Sequence, residues 1–169
     1  HLWGTGAYPE ELAQIASDHN LKLLFDAAHA FGCEHRGVKI GNFGQAEVFS
    51  FHATKFVNSF EGGAIVTNDE ILAARLRTMR NFGFMGYDRV DYLGSNGKMP
   101  EISAAMGITS MESMREFIAC NEHNRHLYQS ELSNLPGLLF YQHPADGNYN
   151  WQYVIVDIDP EEAPLTRDQ

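Results

Sequence analysis

The stretch VFSFHATKFVNSFEGG, from Val48 to Gly63, limits the fold more than any other part of the chain. Val48, Phe49 and Phe51 are β-formers in a short apolar run, which predicts a strand over 47–51. The chain then turns polar, carries Lys55, and reaches the pair Gly62-Gly63 before a second strand predicted over 64–67. Upstream, Leu21, Leu23, Leu24 and Phe25 predict another strand over 21–26, which ends on Asp26. Before it, 9–18 predicts a helix: Pro9 suits the first turn, Glu10 and Glu11 favour the positive end, and Leu12, Ile15 and Ala16 share a face. This helix-then-strand alternation is the rhythm of a layered α/β sheet with parallel strands.

Two strand ends thus offer different chemistry. Partial burial of a lysine favours the neutral amine that attacks a carbonyl. Taken alone, Lys55 reads as a solubilising charge, because lysines are mostly exposed, and Asp26 alone reads as a turn or capping aspartate. Together they suit a cofactor with a pyridine nitrogen and an aldehyde. Pyridoxal phosphate needs an anion beside its ring nitrogen and a lysine amine for a Schiff base.

The motifs Asp26-Ala27-Ala28-His29-Ala30, Ser50-Phe51-His52-Ala53-Thr54-Lys55 and Phe60-Glu61-Gly62-Gly63-Ala64 are followed by MRNFGF at 79–84, GSNGKM at 94–99 and AAMG at 104–107. In this order and spacing they resemble the DegT/DnrJ/EryC1/StrS sugar aminotransferases, over residues 1–120. The resemblance implies a fold-type-I aminotransferase. That is an α/β fold with a three-layer, mostly parallel sheet in a large domain, here 1–112, leading into a smaller α+β domain, here 113–169. It implies pyridoxal 5'-phosphate as cofactor and Lys55 as the catalytic residue that forms the Schiff base. Asp26 would partner the pyridine nitrogen, His29 would contact the phenolic oxygen, and Ser50 would place a hydroxyl on the phosphate. Asn96 would bind the cofactor phosphate of the other subunit in a homodimer with a shared active site. The family often has Arg two positions after that Asn; this chain has Lys98, which offers charge without bidentate geometry. Enzymes of the family are considerably longer. The resemblance therefore implies an internal piece, with the Gly-Ser/Thr phosphate-binding segment upstream of His1.

A net charge of −10 and the lack of a basic stripe argue against a nucleic-acid partner. With 44% hydrophobic and 20% charged residues, the composition fits a packed globular protein. No apolar run approaches a membrane helix and no signal peptide is visible. Cys33 and Cys120 match no metal or redox spacing and read as free thiols of a cytoplasmic protein.

Residues 33–45 read as an irregular connector in which Gly37, Gly41 and Gly44 permit tight turns and 38–40 forms a hairpin arm. Asn68 is the expected cap of a helix through Arg80, with Leu72, Leu76 and Met79 on one face. A long polar loop over 81–99 is of the kind that is functional or disordered. Helices over 101–120 and 121–135 follow. The first is expected to pack through Ala104, Ala105, Ile108 and Met111, and the second to break at Pro136-Gly137. Strands are predicted at 138–141 and 153–158, with 148–152 unassigned. His123 and His126 stand three apart with no third ligand in view, so no metal site is expected.

The activity implied is transfer of an amino group from glutamate to a keto sugar nucleotide, with Lys55 as base and acid for the proton shift. The Phe-Asp-Ala-Ala-His and Phe-His-Ala-Thr-Lys forms are similar to the branch that aminates C4 of 4-keto-6-deoxyhexoses. Rival readings are a 3-aminotransferase, a non-catalytic cofactor- or sugar-binding relative, and a metal-dependent hydrolase using the eight histidines. The dehydratase branch, in which histidine replaces the lysine, conflicts with Lys55. Retention of Asp26, Ser50, Lys55 and Asn96 together speaks against lost catalysis.

Overall fold

The computed structural model describes residues 1–164 and Asp168. Helix α1 (Pro9–Asp18) has Pro9, Glu10 and Glu11 in its first turn, as its composition requires. Strand β1 (Leu24–Asp26) is shorter than the 21–26 run. Leu21 N is still tied to Ala16 O at 2.7 Å, and Leu23 is occupied by Gln45, whose N–H donates to Leu23 O at 2.8 Å. Only the last three residues join the sheet.

β1 runs parallel to β4 (Ala46–Ser50), and β4 runs antiparallel to β5 (Gly63–Val66). The expected arm is a hairpin of β2 (Glu34–His35) and β3 (Val38–Lys39). β6 (Leu138–Phe140) pairs antiparallel with β8 (Val156–Ile158), so 153–155 lies outside the strand expected there. β7 (Gly147–Asn148) pairs with β2, joining the late part of the chain to the early part.

Side chains alternate across β1 and β4. Phe25, Glu47 and Phe49 point inward and are buried. Phe49 meets Ala27, Ala30, Cys33 and Ile40 in the core, flanked by Phe31, Phe43, Phe51 and Val66. The connector at 33–45 is therefore part of the cover of this sheet. It is fastened by Glu47, whose Oε1 accepts from Gly41 N at 2.8 Å; burial pushes this carboxyl above the ordinary range. The opposite face is open: Leu24 is 61%, Val48 40% and Ile65 50% exposed. Asp26 and Ser50 stand on this open face at the carboxyl ends of their strands, and both line a cavity of about 370 Å³.

Helix α2 (Glu70–Met79) is capped by Asp69 and not by Asn68. Asp69 Oδ1 accepts from Ile71 N at 2.9 Å and Leu72 N at 3.0 Å, a reach that fixes the cap one residue later than the sequence suggests. The expected break near Cys120 falls instead at Ser113. Its φ of −90° and ψ of 4° separate α3 (Glu101–Glu112) from α4 (Met114–Leu132). Of the expected packing face of α3 only Ala104 is half-buried, since Ala105 is exposed, Ile108 is 55% exposed and Met111 44%. Ser103 and Ser110 are buried instead, with Gly107 between them. Small residues let α3 lie close on the stretch after Lys55: Asn58 N donates to Ser110 Oγ at 3.1 Å, and a Cβ on Gly107 would stand 3.4 Å from Ser59 Cβ. Among the described residues no helix is long and apolar enough to cross a membrane.

Candidate active site

The β1 strand ends at Asp26, whose Oδ1 accepts from Ala28 N at 2.9 Å and so turns the chain with one carboxylate oxygen. Ala30 N then donates to Ala27 O at 2.9 Å, which brings His29 to the turn. His29 Nδ1 accepts from Trp3 N at 3.4 Å, so in the neutral ring the proton sits on Nε2. Burial holds the imidazole below the ordinary histidine range, and the Lys55 ammonium pushes the same way against the Asp26 carboxylate. His29 is thus a neutral N–H donor within the fields of both charged groups.

The second strand end is folded by its own side chains. Ser50 Oγ accepts from His52 N at 3.3 Å, and His52 Nδ1 accepts from Thr54 N at 3.2 Å. Lys55 N donates to His52 O at 2.9 Å, and His52 Nε2 lies 3.4 Å from Glu61 Oε1. His52, which had no role in the sequence reading, is the staple of the lysine loop. The loop closes where Phe51 N donates to Gly62 O at 2.8 Å. A Cβ at Gly63 would lie 2.6 Å from Phe49 O, so only glycine fits there. Lys55 is half-buried, and its Nζ donates to the Tyr153 hydroxyl at 3.2 Å.

Residues 150–152, unassigned from sequence, and Tyr153, expected to open a strand that begins only at Val156, touch both loops. Asn150 Nδ2 donates to His29 O and Phe31 O at 2.9 and 3.1 Å. Gln152 Nε2 donates to Thr54 O at 3.4 Å. The Tyr153 ring lies 4.5 Å, centroid to centroid, from that of His29. The available signal was a polar Asn and Gln set among aromatic residues. Asn96 is exposed in the 81–99 loop, bridged to Asn81, and Lys98 sits 4.2 Å over the Phe82 ring. The structure therefore gathers Asp26, His29 and Lys55, sets Ser50 on the face of Asp26, and leaves Asn96 on a separate loop. Among the described residues no group of three or more His, Cys, Asp or Glu side chains is placed to hold a metal ion.

The model of the DegT/DnrJ/EryC1/StrS aminotransferase family matches residues 1–169. The chain belongs to that family. A dTDP-4-amino-4,6-dideoxy-D-glucose transaminase of Shigella dysenteriae is 34% identical over 100% of this chain and 46% of its own length. A GDP-perosamine synthase of Caulobacter vibrioides is 33% identical over 92% of this chain and 43% of its own length. Among solved structures, DesI, determined in the presence of its TDP-sugar product, matches with a TM-score of 0.89 and 50% identity over 95% of this chain and 41% of that one. DesV of S. venezuelae matches with a TM-score of 0.86 and 31% identity over 95% of this chain and 43% of that one. The fold-type-I architecture implied by the resemblance is the fold of these sugar aminotransferases. Members of the family depend on pyridoxal phosphate in general. The chain spans about half the length of the curated relatives it matches.

Proposed function

We propose that this chain carries the lysine-bearing part of a pyridoxal-phosphate-dependent aminotransferase, acting in the cytoplasm as a homodimer, that moves an amino group from glutamate to a keto sugar nucleotide. The observation that carries this reading is the meeting of the Lys55 amine, the neutral His29 imidazole and the Asp26 carboxylate at the carboxyl ends of two parallel strands. Open α/β sheets place their ligands there. The donor set fits the cofactor. Asp26 keeps one carboxylate oxygen beyond its turn contact, Ser50 keeps its hydroxyl hydrogen, and both line the open cavity.

Bound pyridoxal phosphate supplies an aldehyde for an amine and a ring that withdraws electrons when its nitrogen is protonated. Asp26 would hold that ring proton, the His29 Nε2–H would serve the phenolic oxygen, and the Ser50 hydroxyl would serve the phosphate. Lys55 would supply the amine for the aldehyde and, when free, would act as base and acid for the proton at the substrate carbon. Asn96 serves the phosphate site of the partner subunit, and the break at Ser113 marks the passage from the large domain to the small one. The substrate is a nucleotide-linked 4-keto-6-deoxyhexose, a reading supported by the 4-amino-4,6-dideoxy sugar in the name of the Shigella dysenteriae relative.

The test is the visible spectrum of the full-length protein with pyridoxal phosphate, before and after borohydride. The expected result is a band that reduction removes and that Lys55→Ala lacks. A folded protein without such a band overturns the aminotransferase reading in favour of a non-catalytic relative. Amination of a TDP-linked 4-keto-6-deoxyhexose in preference to a 3-keto isomer then supports the ring position.

A further inference from the structure

Residues 150–153 are remote in sequence from the two strand-end loops they hold. Asn150 is 1% exposed and lies 121 positions from His29, the residue whose carbonyl it binds. Asn150 Oδ1 accepts from Gln152 N at 3.1 Å, and Asn121 Nδ2 on α4 donates to Asn150 O at 3.1 Å. Gln152 Oε1 accepts from Phe56 N at 3.4 Å, so one amide side chain grips the lysine loop on both sides of Lys55. Between Asn150 and Gln152, Trp151 has a φ of +53°, uncommon for a bulky side chain. The surroundings enforce it: the Arg125 guanidinium lies 4.5 Å over the Trp151 ring, and the rings of His143 and Tyr149 lie 4.8 and 5.1 Å away. The side chains on either side of this left-handed residue reach different loops, Asn150 the one at His29 and Gln152 the one at Lys55. Backbone held in such a conformation is concentrated at functional sites.

Resting on the reading of Lys55 as the Schiff-base lysine, we propose that 150–153 is the positioning element of this site, with the Tyr153 hydroxyl as the partner of the Lys55 amine. Asn150 fixes the His29 loop and Gln152 fixes the Lys55 loop, so their separation is set by a piece of chain belonging to neither. Tyr153 then touches both functional groups: its oxygen accepts from Lys55 Nζ at 3.2 Å and its ring packs on His29. A phenol both accepts and donates. It therefore keeps a partner for the amine whether that amine carries three hydrogens or two, and holds it in place whenever its carbonyl partner is exchanged.

Tyr153→Phe in the full-length protein keeps the ring on His29 and removes the hydroxyl alone. Competitive acetylation of the cofactor-free protein, read by mass spectrometry, reports Lys55 directly, with exposed Lys22 and Lys39 as internal references. Lys55 is expected to react about five-fold faster in Tyr153→Phe, the equivalent of one net hydrogen bond. With cofactor, borohydride still fixes it on Lys55, while kcat falls and the KM for glutamate holds. Gln152→Leu, which keeps Tyr153 but frees the loop, is expected to raise Lys55 acetylation in the same direction. Unchanged Lys55 acetylation in both variants overturns the proposal. A missing visible band in the unaltered protein instead overturns the aminotransferase reading, and the acetylation rates still decide the contact.

Discussion

The loop that carries Lys55 and the segment that holds it are built by opposite means. In the loop, partners are near neighbours: Ser50 with His52, His52 with Thr54, and Asn58 Nδ2 with Lys55 O at 3.2 Å. Every hydrogen bond of 150–153 with the two strand-end loops spans 96 to 121 positions. Local bonds shape the turn that presents the lysine, and distant ones decide what its amine meets.

The sharpest way to break this arrangement is Asn150→Ala. It leaves two carbonyl oxygens, of His29 and Phe31, without their donor. At about 1–3 kcal/mol for each unsatisfied buried group, the loss is about 2–4 kcal/mol after partial relaxation, read as a lower denaturant midpoint. A midpoint equal to that of the unaltered protein would show that the segment carries no load.

Acid works on the same join more gently. Burial lowers the pKa of His29 first, and the Lys55 ammonium adds to it. The unfolded chain therefore takes up the proton earlier, below about pH 6.5, and stability falls as pH drops through that window. Protonation also puts a hydrogen on Nδ1, which can then no longer accept from Trp3 N. The denaturation midpoint is expected to be lower at pH 5.5 than at pH 7.5, and His29→Gln should flatten the difference. Glu47 is shifted upward by burial and has the opposite sign, with stability lost as pH rises through its folded value. Comparing His29→Gln with the unaltered chain at each pH removes that contribution. An identical slope in both proteins would count against the assignment.

The smallest effect is expected where structure is locally encoded. Asp69→Ala removes the α2 cap, at about 1 kcal/mol in thermal denaturation. It should leave Lys55 acetylation untouched, because α2 takes no part in the grip on Lys55.

The same contrast separates what the sequence made legible from what it did not. The α1 helix, the β4 and β5 strands and the half-buried Leu72, Leu76 and Met79 of α2 follow from periodicity and turn residues over a few positions. Asp26 and Lys55 are legible as strand ends for the same reason. The buried face of α3 is not. Apolar spacing points to Ile108 and Met111, yet Ser103, Gly107 and Ser110 are chosen by how close the helix must come to Asn58 and Ser59. Glu47 reads as an ordinary strand residue until the backbone N–H of Gly41 is brought to it. Asn150 and Gln152 offer only a polar pair among aromatic residues and Tyr153 only the start of an expected strand, since their partners are fixed by topology.

The distance between Lys55 and its phenol also sets a clock. Tyr153 is 98 residues further along the chain. At roughly 5–20 residues per second, a ribosome finishes the lysine loop roughly 5–20 s before it delivers the hydroxyl. During that interval the turn made by His52 and Thr54 can form, while the far wall of the site does not yet exist. The lysine is made early and enclosed late, so the order of synthesis sets when this amine first meets a complete binding site.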